Sequence, residues 1–197
     1  MPEFVPDARA EALREKYGFD IIPRDGLEVL IEAAVAAPRR RILEIGTSVG
    51  YSALCLATAT GAHVDTVERD ESKLDVAKKL WADCGASNSI TAHLGDAERV
   101  VPELVKRHKY DFVFIDAAKS KYCGYLDAIY DFIDTGTVIV ADDVNFLGLV
   151  KGEGYPPHKH RTIVTGMRRF VRAITDASRF ECTMSDVGGG IAVCTKI

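Results

Sequence analysis

The sequence predicts an α/β fold, a doubly wound and mostly parallel sheet of seven strands with helices on both faces. Strand-like and helix-like segments alternate five times, and most of the strands end on a glycine or an acid. The last two strands are joined only by Gly188, Gly189 and Gly190, which are too few residues for a parallel crossover. We therefore expect a C-terminal antiparallel hairpin on an otherwise parallel sheet.

The first strand and the turn after it lie in residues 41–52, RILEIGTSVGYS. A short apolar run stops at Gly46, Gly50 follows, and residues 51–59 read as a helix. Glycines let a backbone approach a ligand closely, so this pattern predicts a nucleotide-like ligand at the carboxyl end of the strand. The spacing is E-x-G-x-x-x-G and not the G-x-G-x-x-G of dinucleotide-binding proteins. The alternative is an ordinary strand-to-helix turn.

The other elements follow from periodicity, capping residues and breakers. Helices are expected at about 7–17, 26–37, 51–59, 70–84, 99–108, 121–133 and 162–173, and strands at about 41–45, 63–68, 89–94, 110–115, 137–141, 180–187 and 191–196. Asp70 can cap the fourth helix, and Pro102 is compatible with the fifth only in its first turn. Without a linker or repeat, we expect one domain over residues 1–197, in which the N-terminal helices of 1–37 pack on or beside the core.

The composition is that of a soluble globular protein. The chain is 47% apolar and 27% charged, no apolar run approaches a membrane span, and the N-terminus lacks the apolar core of a signal peptide. The five cysteines are odd in number and form no C-x-x-C pair, which favours reduced thiols in a cytoplasmic protein. A formal charge of −4 excludes a surface that is basic all over, but it leaves room for a local basic patch.

Acids at strand ends indicate a ligand site, because doubly wound sheets bind ligands outside the carboxyl ends of their strands. Glu68 ends the second strand, eighteen residues beyond Gly50, where a carboxylate can accept both hydroxyls of a ribose. Asp96 ends the third strand, beside the place that an adenine would occupy. For Glu68 alone the alternative is a solvated charge at a strand end.

Three further carboxylates predict a metal site. Asp116 and Asp142 end strands that should be neighbours, and Asp143 adds a third acid. Converging carboxylates repel, and a hard cation resolves the conflict: Mg²⁺ is favoured, with Mn²⁺ or Ca²⁺ possible. The metal would leave positions for two vicinal substrate oxygens and lower the pKa of a substrate hydroxyl bound there. Lys119 could take the proton of that hydroxyl once the cation lowers the pKa of Lys119. The alternative is that these acids serve solubility.

Five motifs occur in order at sensible spacing: EIGTSVGYSA, VERDE, GDA, FIDAAKSKY and VIVADDV. Together they resemble the cation-dependent O-methyltransferases, the family of the catechol and caffeoyl-CoA enzymes and of many bacterial relatives. The resemblance covers about residues 20–197. It implies a Rossmann-like class I methyltransferase fold, S-adenosylmethionine (SAM) as the cofactor, and transfer of a methyl group to a hydroxyl next to a second oxygen. It also implies a homodimer, since relatives are commonly dimers.

The resemblance further implies roles for individual residues. The residues that would bind SAM are Glu44, Gly46, Thr47, Gly50, Ser52, Glu68, Asp96, Ala97 and Asp116. Within this set Glu68 would hold the ribose, and Asp96 with Ala97 would flank the adenine. The metal ligands would be Asp116, Asp142 and Asp143, and the general base would be Lys119. Tyr122 is expected to pack and not to react.

Two departures from the family pattern concern the acceptor side. Relatives usually carry Asp-Asn where this chain has Asp142 and Asp143, so a third carboxylate would bind the cation more tightly and make it a weaker Lewis acid. Alternatively, Asp143 is protonated, or Asn145 supplies the missing amide oxygen. Many relatives have G-D-G where this chain has three glycines at 188–190, a wall that can touch the substrate.

A basic segment adjoins the predicted metal site. Residues 144–175 hold six Lys and Arg against one acid, while the rest of the chain carries 19 basic and 28 acidic residues. This favours a polyanionic acceptor, although the solvated face of an amphipathic helix would look similar. The runs VNFLGLV and HRTIVTGMRRF resemble the bacterial branch that methylates 5-hydroxyuridine at the tRNA wobble position. We therefore expect tRNA as the partner, contacted by Lys159, Arg161, Arg168 and Arg169.

Two alternatives remain open. Small catechol-like phenols offer the same pair of vicinal oxygens as the 5-hydroxyl and 4-carbonyl of the modified base. A SAM-binding module without catalysis would result if the altered site around Asp143 no longer held a metal.

Overall fold

The computed structural model describes residues 12, 21–152, 154 and 156–197, and a seven-stranded sheet lies at its centre. The strands are β1 (Arg41–Ile45), β2 (His63–Glu68), β3 (Ile90–Leu94), β4 (Phe112–Ile115), β5 (Val138–Ala141), β6 (Phe180–Ser185) and β7 (Ile191–Lys196). Their order is β3-β2-β1-β4-β5-β7-β6, and β7 is antiparallel to both of its neighbours. The predicted fold class and its C-terminal hairpin are confirmed.

Six helices of the described chain cover the two faces of this sheet. They are α1 (Arg24–Val35), α2 (Tyr51–Thr60), α3 (Glu71–Asp83), α4 (Ala97–Arg107), α5 (Tyr122–Tyr130) and α6 (Arg161–Ile174). Helices α1 to α3 pack on one face of the sheet and form the first apolar core with it. Helices α4 to α6 pack on the opposite face and form the second core. Side chains alternate across a strand, so Ile42 enters the first core whereas Leu43 and Ile45 enter the second. No helix in the described ranges has the length and apolar character needed to cross a membrane.

Helix α4 departs from its prediction in where it begins, and α5 ends three residues earlier than expected, at Tyr130. It begins at Ala97 because the Asp96 side chain caps it by accepting the Glu98 N–H at 2.8 Å. Pro102 therefore lies in the second turn, and the expectation that it occupies the first turn is wrong. The strands expected from 110 and 137 begin later, at Phe112 and Val138. The helix expected at 7–17 lies outside the described residues, apart from Ala12, which is helical.

The cysteines also depart from expectation. Cys182 and Cys194 are direct partners in the β6–β7 register, with their Cα atoms 4.0 Å apart, and they are joined by a disulfide. The expectation of reduced thiols is therefore wrong for this pair, because antiparallel pairing brings together two residues that are distant in sequence. Cys55, Cys84 and Cys123 are free.

The glycine turn after β1 brings the ends of two strands together. Gly46 has φ of 105°, and a Cβ there would overlap the Asp116 carbonyl oxygen and lie 2.7 Å from the carbonyl carbon. Gly50 has φ of 80°, and its carbonyl oxygen accepts the Trp81 indole N–H at 2.8 Å. The first glycine therefore lets the end of β1 touch the end of β4, and the second lets α2 dock on α3.

Candidate active site

A cavity of about 570 Å³ opens at the carboxyl ends of the parallel strands. Its walls include predicted site residues from five successive loops: Gly46 after β1, Glu68 at the end of β2, Asp96 and Ala97 after β3, Asp116 and Lys119 after β4, and Asp142 and Asp143 after β5. Residues that are far apart in sequence thus share one cavity, as the strand-end argument predicts.

Glu68 is the most firmly held acid on one side of this cavity. Its carboxylate accepts three backbone N–H groups, from Ser48 at 2.9 Å, Arg69 at 3.0 Å and Asp70 at 3.1 Å. Ser48 makes its contact from an unusual backbone conformation, with φ of 48°. The Glu68 carboxylate is therefore fixed in orientation before any ligand arrives, and it remains able to accept further hydrogen bonds.

Four of the residues expected to bind the cofactor lie behind the cavity wall. Glu44, Thr47, Gly50 and Ser52 are absent from the described lining. The buried Glu44 carboxylate accepts the Thr66 hydroxyl at 2.5 Å, and the Thr66 and Thr47 hydroxyls lie 2.6 Å apart. Burial raises the pKa of Glu44 to about 8. Glu44, Thr47 and Thr66 thus support the turn that carries Ser48, and the expected contacts of Glu44, Thr47, Gly50 and Ser52 with the cofactor stay a prediction.

Several lining residues were missed in the sequence. Ser48 lines the cavity, and its buried hydroxyl oxygen has no hydrogen-bond partner within the described chain. Lys121 forms an ion pair with Glu98 at 2.8 Å, and both residues line the cavity next to Asp96. Lys121 follows Lys119 by two residues in the FIDAAKSKY motif, and this proximity was the available signal. The position of Ser48 depends on its positive φ, which the residue pattern did not predict.

Lys119 is the centre of the opposite side of the cavity. Its Nζ lies 2.7 Å from Asp116 Oδ1, 3.1 Å from the Tyr122 hydroxyl and 3.3 Å from Asp143 Oδ2. Burial alone would lower the pKa of Lys119, but Tyr122 and the two carboxylates outweigh burial and hold that pKa well above its ordinary value. The neutral amine that a general base requires is therefore disfavoured in this arrangement.

The three predicted metal ligands approach one another without forming a ligand cage. Asp142 Oδ1 accepts the Asp143 N–H at 2.8 Å, and burial, followed by the Asp116 charge, raises the pKa of Asp142 to about 6. Asp116 and Asp143 both turn towards Lys119. Among the described residues, no three His, Cys, Asp or Glu side chains are arranged to hold a metal ion. The alternative ligand Asn145 uses its side-chain oxygen to accept the Lys151 N–H at 3.1 Å.

Tyr122 supports this end of the cavity, in agreement with the expectation that it packs. The side chain is fully buried, and its ring meets Phe170 edge to face, with centroids 5.1 Å apart. Its hydroxyl lies 3.1 Å from both the Ile115 and the Asp142 carbonyl oxygens, so its proton can be donated to either. Tyr122 therefore ties the ends of β4 and β5 together behind the carboxylates.

The four basic residues expected to contact tRNA divide into two groups. The Arg168 guanidinium donates to the carbonyl oxygens of Leu149, Val150, Gly152 and Gly154. It therefore holds the loop after β5, and its expected contact with a substrate stays a prediction. Lys159, Arg161 and Arg169 are exposed. None of these four basic residues belongs to the described cavity lining.

The chain is similar in sequence to known O-methyltransferases. It matches the O-methyltransferase family over residues 21–197. It is 32% identical over 172 residues to a caffeoyl-CoA O-methyltransferase of Medicago sativa, covering 80% of this chain and 67% of that protein. It is 33% identical over 154 residues to a catechol O-methyltransferase of Niastella koreensis, covering 76% of this chain and 68% of that protein.

A solved structure extends the comparison to three dimensions. The O-methyltransferase TomG from Streptomyces achromogenes, which was solved in complex with SAM, superposes with a TM-score of 0.83 at 26% identity, covering 96% of this chain and 88% of that one. Since the family match spans the cavity and every strand of the sheet, the chain belongs to the cation-dependent O-methyltransferase family and is a SAM-dependent O-methyltransferase.

Proposed function

We propose that the cavity binds SAM at its Glu68 side and methylates an acceptor at its Lys119 side. The observation that carries this proposal is that both groups line one cavity. The Glu68 carboxylate suits the two hydroxyls of a ribose, and three backbone N–H groups hold it in place. The SAM complex of the related TomG supports the same donor.

We further propose that a divalent cation assists the transfer. The donors fit such an ion, because Asp116, Asp142 and Asp143 supply only oxygen. Burial, followed by the nearby Asp116 charge, raises the pKa of Asp142, and a cation would offset that charge. When bound, the cation would hold two acceptor oxygens, lower the pKa of the attacking hydroxyl and offset the carboxylates that keep Lys119 protonated. Once it has released its own proton to solvent, Lys119 Nζ would accept the hydroxyl proton. The oxygen would take the methyl group from the sulfonium of SAM, leaving S-adenosylhomocysteine, without a covalent enzyme intermediate.

The proposed acceptor is 5-hydroxyuridine at the tRNA wobble position. Lys121 lines the cavity, and Arg169 on α6 lies close enough to influence the Cys123 thiol two residues further on. Exposed cations therefore lead from the rim of the cavity onto α6, on a chain that is acidic elsewhere. Such a strip can contact phosphates while an unstacked base enters the cavity.

Small catechol-like phenols are the second candidate acceptor. The relatives with the highest identities given above are named for catechol and caffeoyl-CoA. Ile21, Ile22 and Pro23 add an apolar wall to the cavity, which suits a phenolic ring. The Arg168 guanidinium, one of the four expected phosphate contacts, already donates to carbonyl oxygens of the loop after β5.

A methyl-transfer assay decides between these acceptors. The purified protein receives methyl-labelled SAM and Mg²⁺ with tRNA that carries 5-hydroxyuridine, with matched tRNA that lacks it, or with a panel of catechols, each with and without a chelator. We expect label only in the hydroxyuridine tRNA and loss of labelling with the chelator. Label in catechols and never in tRNA would overturn the tRNA proposal, and labelling that resists the chelator would overturn the cation. SAM binding without any labelling would favour the non-catalytic module.

A further inference from the structure

The middle glycine of the β6–β7 hairpin has no backbone reason to be glycine. Gly188 and Gly190 have φ of 58° and 88°, in the left-handed region that favours glycine, but Gly189 has no such positive φ. A Cβ at Gly189 would instead overlap Asp143 Oδ1 and lie 2.8 Å from Asp143 Cγ. Gly189 is therefore bare because the Asp143 carboxylate occupies the space that its side chain would need.

Backbone hydrogen bonds oppose a movement of either segment that would relieve that overlap. The Val144 N–H donates to the Gly190 carbonyl at 2.9 Å, and the Asn145 N–H donates to the Gly189 carbonyl at 2.8 Å. These bonds join the segment after Asp143 to the hairpin, and a Cβ at Gly189 would also lie 3.1 Å from the Asp143 Cα. Any side chain at position 189 must therefore displace the Asp143 side chain.

Asp143 is itself held in a particular position. It is a non-glycine residue with φ of 56°, and its N–H donates to Asp142 Oδ1. With one carboxylate oxygen over Gly189, the other lies 3.3 Å from Lys119 Nζ. A displaced Asp143 carboxylate would lose this contact and leave Lys119 with Asp116 alone among its carboxylate partners.

We propose that Gly189 is a positioning residue for methyl transfer, because its missing side chain lets the Asp143 carboxylate contact Lys119 and so hold the Lys119 amine in place. The expected benefit is to the position of the amine, since the same contact favours its protonated form. The two departures from the family pattern, at 143 and at 189, then form one steric unit. The consequence for catalysis rests on the proposed function of Lys119, whereas the steric unit does not. Gly189 makes none of the hydrogen bonds that hold Glu68, so we expect SAM binding to be independent of it.

A mutant cycle tests this proposal. Gly189→Ala is made alone, with Asp143→Gly, which removes the obstructing carboxylate, and with Asp143→Asn, which keeps its shape. Gly124→Ala is the matched control, since its Cβ would lie 3.7 Å from the nearest atom, Glu98 Oε1, in a helix. Thermal midpoint, SAM affinity by calorimetry and single-turnover methyl transfer are measured on each variant.

We expect Gly189→Ala to lower both the thermal midpoint and the transfer rate, the latter by about tenfold or more, with unchanged SAM affinity. With Asp143→Gly the alanine should cost no further midpoint or rate, whereas with Asp143→Asn it should lower the midpoint again. A wild-type midpoint for Gly189→Ala, or an equal midpoint loss in all three backgrounds, would overturn the steric unit. If the effect of Gly189→Ala on the thermal midpoint depends on the residue at 143 but its transfer rate equals that of the wild type, the positioning role would be overturned. If the wild-type protein transfers no methyl group, the proposed function fails while the midpoints still test the steric unit.

Discussion

Replacement of Lys119 by methionine is expected to lower the rate of methyl transfer by about 10²- to 10⁴-fold, the usual contribution of a general base. The methionine keeps an unbranched side chain in the cavity wall, but it can neither accept a proton nor bond to Asp116 Oδ1, which now lies 2.7 Å from Lys119 Nζ. Single-turnover rates at saturating SAM, with the acceptor that the labelling assay selects, measure the change directly.

The control for this variant is Lys79→Met, which removes an exposed lysine from α3, outside the cavity. We expect the control to keep the wild-type rate and Lys119→Met to keep the wild-type affinity for SAM. A Lys119→Met rate equal to that of the control would exclude proton transfer at Lys119 and leave it a structural partner of the carboxylates.

Replacement of Asp65 by alanine is expected to cost the fold about 3–5 kcal/mol of unfolding free energy, the cost of breaking a buried ion pair. Asp65 on β2 is 1% exposed, and none of its hydrogen-bond partners is a predicted site residue. Its carboxylate accepts from Arg41 Nε at 2.6 Å, His93 Nε2 at 2.8 Å and the Tyr110 hydroxyl at 3.0 Å. The alanine leaves these donors without their acceptor in a position that water reaches poorly.

The pH dependence of the unfolding free energy gives this prediction a second test. Burial alone would raise the pKa of Asp65, but the bonds from His93, Arg41 and Tyr110 outweigh it and lower the pKa from 3.8 to about 2. Because the pKa of Asp65 is lower in the folded state, its carboxylate stabilises that state at pH values above the ordinary pKa of 3.8. This stabilisation disappears as the pH falls towards about 2. Urea unfolding should therefore separate Asp65→Ala from wild type widely at pH 7 and progressively less below pH 4.

The matched control is Asp75→Asn, on the exposed side of α3, which should unfold like the wild type at every pH. An Asp65→Ala protein as stable as the control at neutral pH would contradict the account of this buried network.

The fold could be predicted because local signals and topology agree along the chain. The apolar run before Gly46, the acids that end β2 and β4 and the Asp70 cap of α3 each specify an element boundary by local chemistry. Strands with such boundaries allow few arrangements, and the rule that ligands bind at their carboxyl ends located the cavity. The start of α4 was misplaced because Asp96, predicted as a ligand residue, also serves as its cap.

What escaped prediction depends on side-chain direction and on contacts between distant segments. Glu44 belongs to the cofactor motif, yet its side chain turns to Thr66 on the neighbouring strand and not into the cavity. Arg168 looks like any other cation of α6 in the sequence, but the carbonyl oxygens of the loop before the helix occupy its guanidinium. The contact between Gly189 and Asp143 joins the hairpin to the loop after β5, and no local pattern reports such an encounter.

The central claim is a division of the cavity into a side that binds the donor and a side that performs the transfer. Calorimetric titration of Glu68→Gln with SAM tests it most directly, with Glu71→Gln on the exposed start of α3 as the control. We expect Glu68→Gln to bind SAM about 10- to 150-fold more weakly, the loss of a charge-assisted hydrogen bond of about 1.5–3 kcal/mol, and to approach the wild-type transfer rate once SAM saturates it. Wild-type affinity for SAM in Glu68→Gln would contradict the account.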